Sequence, residues 1–258
     1  MALTTGPTMR RILIILRLTT LCLLVSPERS LAEIAHEPPS IWRQTANGGA
    51  RITGKISLAP ILPSTGRLPV FKNRGFCGPS VPDETLLTSE DGGLRNAIVL
   101  LHPLDRIARV QPGRVLLDNI KCAFAPHVQV ASVGSELSLK NSDPILHTVH
   151  ARLGQETLFN VGLPQWRQVT KILERPGVVR INCDVLHTWM TAAIVVATTP
   201  HFSISDQKGL FAVDHLPAGA YDVVVWHEKL GTKIRRISLN EDTSLSLDVV
   251  FGLAQEKR

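Results

Sequence analysis

The sequence predicts an all-β protein built as two β-sandwiches, and three observations predict it. Apolar and polar residues alternate over short runs such as Ala50-Arg-Ile-Thr-Gly-Lys-Ile-Ser-Leu58, the period of a half-buried strand. Turn residues separate those runs at close intervals, and no stretch keeps a helical period over several turns. With 258 residues, 44% of them hydrophobic, the chain is long enough for one large β domain or two smaller ones with separate cores.

The N-terminus precedes this pattern and reads as an export signal. Arg10 and Arg11 stand before the apolar run Ile12 to Val25, and Ser30-Leu-Ala32 supplies a small-x-small cleavage site. A retained membrane anchor is the rival reading; Arg17 interrupts the run, which falls short of the about 20 apolar residues a spanning helix needs. The arginine pair also permits twin-arginine export, although the residues around it fit that signal poorly. Cleavage after Ala32 would remove four arginines and one glutamate, so 28 basic and 22 acidic residues become 24 and 21, and the net charge falls from +6 to +3. The remaining Lys and Arg are scattered and not interleaved with aromatics, which speaks against nucleic acid as a partner. The expected location is periplasmic or secreted, with no membrane association after cleavage.

A linker over 33–49, with Glu37-Pro-Pro-Ser40, leads to the strand at Ala50. A loop-rich region carrying Cys77 runs to Asp91-Gly-Gly93, and Leu94 to Leu101 forms a second, more continuously apolar strand. Further strands are predicted at Arg114 to Leu117, Val128 to Ser132, Glu136 to Lys140, Leu146 to Ala151, Val178 to Cys183 and Ala192 to Ala197. The segment Gly154 to Arg175 lacks strong alternation and reads as a long connection, with a short helix near Val169 to Leu173. After Pro200 come hairpins in series: Phe202 to Ser205, Leu210 to Val213, Tyr221 to Trp226, Lys233 to Leu239 and Ser244 to Val250.

Cysteine usage separates one thiol from the others. Cys22 would leave with the signal, and the mature chain would keep Cys77, Cys122 and Cys183. In an oxidising compartment the simplest reading is a Cys77–Cys122 disulfide and a Cys183 thiol reserved for a metal; a free, buried Cys183 without a role is the alternative. The stretch Cys183-Asp-Val-Leu-His187-Thr-Trp-Met190 places a thiolate, an imidazole and a thioether on one loop. A mononuclear copper site of the blue type takes two His and one Cys in a plane with a weak axial Met. His147, in Asn141-Ser-Asp-Pro-Ile-Leu-His147, is the candidate for the second imidazole. The predicted ligands are therefore His147, Cys183, His187 and Met190, and the predicted cofactor is one copper ion. Asn141 is expected to brace the ligand loop by hydrogen bonding. Trp189 reads equally well as a contact for a redox partner or as a core aromatic.

Residues 110–197 resemble the cupredoxins, the plastocyanin and azurin family, in the Asn141-to-His147 element and in the later order of Cys, His and Met. The resemblance implies a Greek-key sandwich, an electron-transfer role, and a C-terminal-loop histidine near the surface, here His187, through which the electron leaves. The Cys-x3-His-x2-Met spacing is similar to the second half of the binuclear copper loop of cytochrome oxidase subunit II; Val179 stands where that loop has its first Cys, so one copper is expected. Residues 205–225, with Asp206-Gln-Lys-Gly209 and Leu216-Pro-Ala-Gly-Ala-Tyr221, resemble the smaller transthyretin-like, carboxypeptidase-regulatory-like sandwich. The domain expectation is then a signal peptide over 1–32, a transthyretin-like unit in two pieces (50–105 and 198–253), and a copper domain inserted over 106–197; two domains in tandem is the simpler alternative. Similar two-part proteins are labelled methylamine-utilisation or plastocyanin-like.

The other histidines are assigned lesser parts. His150, three residues after His147, falls on the opposite face of a strand. His127 reads as a hydrogen-bonded strand end, or as the rim of a second site, and His227-Glu228 as a structural pair with no third partner. Three function classes follow: electron transfer to a redox partner protein, copper carriage or storage, and a metal-free binding module. With three Met in all the chain lacks the Met richness of a carrier. It also has no His-x-His pair for a second, catalytic copper, so electron transfer is the expected role and catalysis is not.

Overall fold

A computed structural model of the chain describes residues 49–62 and 66–253. The predicted signal, and all of the linker but Gly49, lie outside the described residues. Among the described residues no helix is long and apolar enough to cross a membrane.

Among the described residues the first element is β1 (Ala50–Ala59), followed by a small hook of β2 (Arg67–Pro69), α1 (Arg74–Cys77) and β3 (Ser80–Pro82), and then β4 (Ile98–Pro103). Next come β5 (Arg114–Ile120), β6 (Ala123–Ala125), β7 (Val128–Ser132), β8 (Glu136–Asn141), β9 (His147–Leu153), β10 (Glu156–Leu163), β11 (Gln168–Ile172), β12 (Gly177–Asn182) and β13 (Thr191–Ala197). The last group is β14 (Phe202–Ile204), β15 (Leu210–Leu216), β16 (Gly219–His227), β17 (Gly231–Leu239), β18 (Ser244–Ser246) and β19 (Val249–Gly252).

The middle of the chain forms two facing sheets, β10-β9-β12-β13-β7 and β11-β8-β5-β6, in a Greek-key-like order with β5–β8 and β7–β13 parallel. Between them lies a core of Leu117, Phe124, Leu137, Leu139, Val149, Ile181 and Ile194 with their neighbours. The strands on either side of this middle part, β1 and β4 before it and β14 to β19 after it, form a second pair, β14-β4-β16-β17 and a sheet in which β1 is paired by β15, β18 and β19. Ile52, Ile56, Leu101, Tyr221, Val223 and Phe251 fill its core. Fully burying each such side chain contributes about 1.5–3 kcal/mol. The Tyr221 hydroxyl donates to the Pro217 carbonyl at 2.7 Å and pins the Leu-Pro-x-Gly turn it follows.

A third core cluster joins the two pairs of sheets. Val128 and Val130 of β7 and Ala193, Val195 and Ala197 of β13 pack with Ile98 and Leu100 of β4 and Trp226 of β16. Alternate residues of β13 and β4 serve different cores: Ile194 and Val196 point into one sandwich, Val99 and Leu101 into the other. A strand buried on both faces reads as a continuous apolar run, which is why 98–101 of β4 and 192–197 of β13 show no alternation, whereas Leu94 to Ala97, expected to belong to the first of these strands, precede it.

Two expectations are corrected. The segment Gly154 to Arg175 contains two strands and no helix: β10 pairs with β9, and β11 pairs with β8 from Gln168↔Lys140 to Ile172↔Glu136. Both are edge strands exposed on much of their surface, so burial imprints little pattern on them. The run Ser244 to Val250 is two short strands, both parallel to β1.

Candidate metal centre

The site lies where β9 begins and β12 ends. These strands are antiparallel neighbours, with Asn182 opposite His150, so His147 and Cys183 emerge at the same end of the sheet. Asn141 closes β8 and shapes the approach to His147. Its Nδ2 donates to the carbonyls of Ile145 and Leu163, each at 2.8 Å, and its Oδ1 accepts the Asp143 amide at 3.0 Å. All four of its possible side-chain bonds are not needed to fix the loop; these three hold both of its ends. Thr148 anchors the other side, donating its amide to Cys183 Sγ at 3.4 Å and accepting the Asp184 amide at 2.6 Å. The ligand loop then turns through Leu186, at a left-handed φ of 65°, and closes with the Met190 amide donating to the His187 carbonyl at 2.9 Å.

Three donor atoms converge. His147 Nδ1 and His187 Nδ1 are 3.1 Å apart, and Cys183 Sγ lies 3.9 Å from the first and 3.6 Å from the second. All three residues are buried. An ion held about 2.0–2.3 Å from two imidazoles and a thiolate in a trigonal plane sets donor separations of roughly 3.5 Å, so the trio fits such an ion. Met190 is buried in the same core and lines a cavity of about 20 Å³ with Cys122, Phe124 and His127.

Cys183 and His147 are shifted in opposite directions by each other and by their neighbours. Burial pushes the Cys183 thiol up, but His147 and the backbone amides of Thr148 and Val185 outweigh it, and the net shift is downward. Burial pulls His147 down, whereas Asp143 and Cys183 raise it further than that, so it ends above the ordinary imidazole value. His187 falls to about 4, through burial, then the neighbouring His147 and Lys72, with Asp143 opposing. Neutral His187 and a thiolate are the forms a metal needs.

The outer nitrogen of each imidazole is also held. His147 Nε2 lies 3.0 Å from Asp143 Oδ2, and His187 Nε2 lies 2.8 Å from Asn73 Oδ1. Neither partner was apparent in the sequence. Asp143 stands inside the motif that pointed to His147, and an acid four residues before a candidate ligand was the available signal; Asn73 carries none beyond its nearness to Cys77.

The surface role expected of His187 is overturned: it is 1% exposed, because the hook bearing Asn73 folds over the edge that would otherwise meet solvent. Trp189 is a core aromatic. It is buried, its Nε1 donates to the Cys122 carbonyl at 3.0 Å, and its ring lies 5.1 Å from that of His187. Cys77 and Cys122 are joined in a disulfide with a Cα–Cα distance of 5.6 Å, and Cys183 is a buried free thiol. His150 lies outside the trio, between Asp184 Oδ2 at 2.7 Å and Thr157 Oγ1 at 2.8 Å. The pair His227-Glu228 does have a third partner, since Glu228 Oε1 meets His127 Nε2.

No protein-family model and no curated protein matches the chain. Solved structures similar to it include a purple cupredoxin from Nitrosopumilus maritimus (19% identity, 33% of this chain and 99% of that one, TM-score 0.29). A reduced amicyanin mutant matches at 19% identity over 38% of this chain and 98% of that one, with a TM-score of 0.30. A copper-containing nitrite reductase from Thermus scotoductus SA-01 matches at 20% identity over 37% of this chain, with a TM-score of 0.31, and the match spans 25% of the reductase.

Proposed function

We propose that this chain is an exported protein that binds one copper ion and passes single electrons between redox partners outside the cytoplasm. The convergence of His147 Nδ1, His187 Nδ1 and Cys183 Sγ, all buried, is the observation that carries the reading. Copper bound there would supply a one-electron couple. The chain's own residues hold the donors: Asn141 and Thr148 fix the two loops, Asp143 and Asn73 fix the imidazoles, and the surrounding core excludes water. Donors that cannot move between oxidation states keep reorganisation small, and a soft thiolate with two imidazoles is acceptable to both Cu(I) and Cu(II). Met190, buried in the same core, would be the weak fourth ligand. The outer pair of sheets is the transthyretin-like unit of this reading, with the copper domain inserted in it.

Burial of the trio favours electron transfer over a carrier, which needs an exchangeable site. The test is to express the chain from residue 33, add Cu(II), and record the visible and electron paramagnetic resonance spectra. A thiolate-to-copper band that vanishes in Cys183→Ser supports the proposal, and identical spectra in the two proteins would sink it. Metal retained through repeated reduction and oxidation supports electron transfer; metal released on reduction supports carriage.

A further inference from the structure

Both histidines of the trio are wired, through their outer nitrogens, to the same disulfide. On one side Asp143 Oδ2 faces His147 Nε2 at 3.0 Å and accepts the Cys122 amide at 2.8 Å, while Oδ1 accepts the Lys121 amide at 2.6 Å. On the other, Asn73 Oδ1 faces His187 Nε2 at 2.8 Å, and Asn73 is the N-cap of α1, which ends in Cys77. Cys77 is bonded to Cys122, and the Cys122 carbonyl accepts the indole N–H of Trp189, two residues from His187. These contacts close a ring around the metal centre.

We propose that Asn73 is a positioning residue for His187, that the Cys77–Cys122 disulfide keeps it in place, and that together they shut the centre against small ligands from solvent. The proposal rests on the copper reading. Three observations carry it. An acceptor at Nε2 selects the tautomer whose proton is on Nε2, leaving the Nδ1 lone pair aimed at the trio. The shielding of His187 comes from the hook and not from a deep loop, because Leu186 beside it is 65% exposed. The hook needs a tether at its tip: α1 has four residues and buries none of them, and Asn73 sits at a left-handed φ of 56°. Such a residue stays in place only where its surroundings hold it. Its base is anchored by Val70 and Val81, both packed in the core; its tip is anchored by Cys77.

Asn73→Gly tests the side chain without disturbing the backbone, since glycine tolerates that φ, and Asn73→Asp restores an acceptor at the same position. In the copper-loaded chain from residue 33, Asn73→Gly should release metal to a chelator about 10–100-fold faster than the wild type. Azide should change its visible spectrum and leave that of the wild type unaltered, and Asn73→Asp should return both properties towards the wild type. Cys77→Ala with Cys122→Ala should speed release similarly, and adding Asn73→Gly to that pair should change little further, because the tether acts through Asn73. In the metal-free protein, nitrogen-15 resonance of the His187 ring should report the Nε2–H tautomer in the wild type and a mixture in Asn73→Gly. Wild-type release and azide indifference in Asn73→Gly would overturn the proposal, and full additivity with the cysteine pair would overturn the tether. A wild type with no thiolate-to-copper band would instead sink the copper reading, while the ring tautomer would still report the Asn73 contact.

Discussion

His127 and Glu228 meet at the joint between the two sandwiches, Nε2 against Oε1, with side chains only 7% and 8% exposed. Removing one member leaves the other without its partner in a dry interior. His127→Ala should therefore lower stability by about 3–5 kcal/mol, and His127→Leu combined with Glu228→Met should recover most of the loss. Urea unfolding of the three proteins measures both effects.

The same joint sets a pH dependence with two opposed limbs. Burial pushes His227 down to about 4; Glu228 and the Arg95 backbone oppose this and His127 adds to it. An imidazole with a depressed folded value contributes its full stability above the ordinary value of about 6.5 and loses it as the pH falls towards 4, roughly 3 kcal/mol in all. His127 is shifted the other way: burial lowers it, but Glu228 and the Thr191 backbone raise it beyond that. Its contribution is complete below about 6.5 and is lost as the pH rises through the folded value. Unfolding midpoints followed from pH 4 to 9 should thus show the acid limb shrink in His227→Gln and the alkaline limb shrink in His127→Gln.

Asp143 serves His147 and the Lys121–Cys122 turn together. Asp143→Asn keeps the shape and removes the charge. Copper affinity should drop about 10–100-fold, and stability by about 1.5–3 kcal/mol for the charged hydrogen bonds lost. A metal titration and a urea curve separate the two losses.

Trp189→Phe removes the indole N–H and leaves the Cys122 carbonyl without that donor. The expected destabilisation is about 1–3 kcal/mol. If Trp189 served only a docking partner, the unfolding midpoint would not move.

The trio was legible because its residue types are unusual together and two of the donors share one short loop; only His147 had to be brought from a separate strand. Asn73 was not legible, since its contact with His187 spans 114 positions and leaves no local pattern. The same holds for His127 and Glu228, separated by 101. The burial of His187 escaped for a related reason: a loop position reads as surface until the hook that covers it is known. β10 and β11 escaped for the opposite one, because edge strands carry too little burial to show a period.

The pairing of β4 with β14, Leu100 opposite Phe202, has a kinetic consequence. For the outer sandwich the whole middle of the chain is a loop of about a hundred residues, and closing so long a flexible loop costs roughly 4 kcal/mol. If the middle folds first, the parallel pairing of β7 with β13 brings the loop ends towards one another before any outer contact forms. Pulse-labelled hydrogen exchange during refolding should accordingly find the amides of β13 protected ahead of those of β16, and the amides of β1 protected only together with its partners β15, β18 and β19.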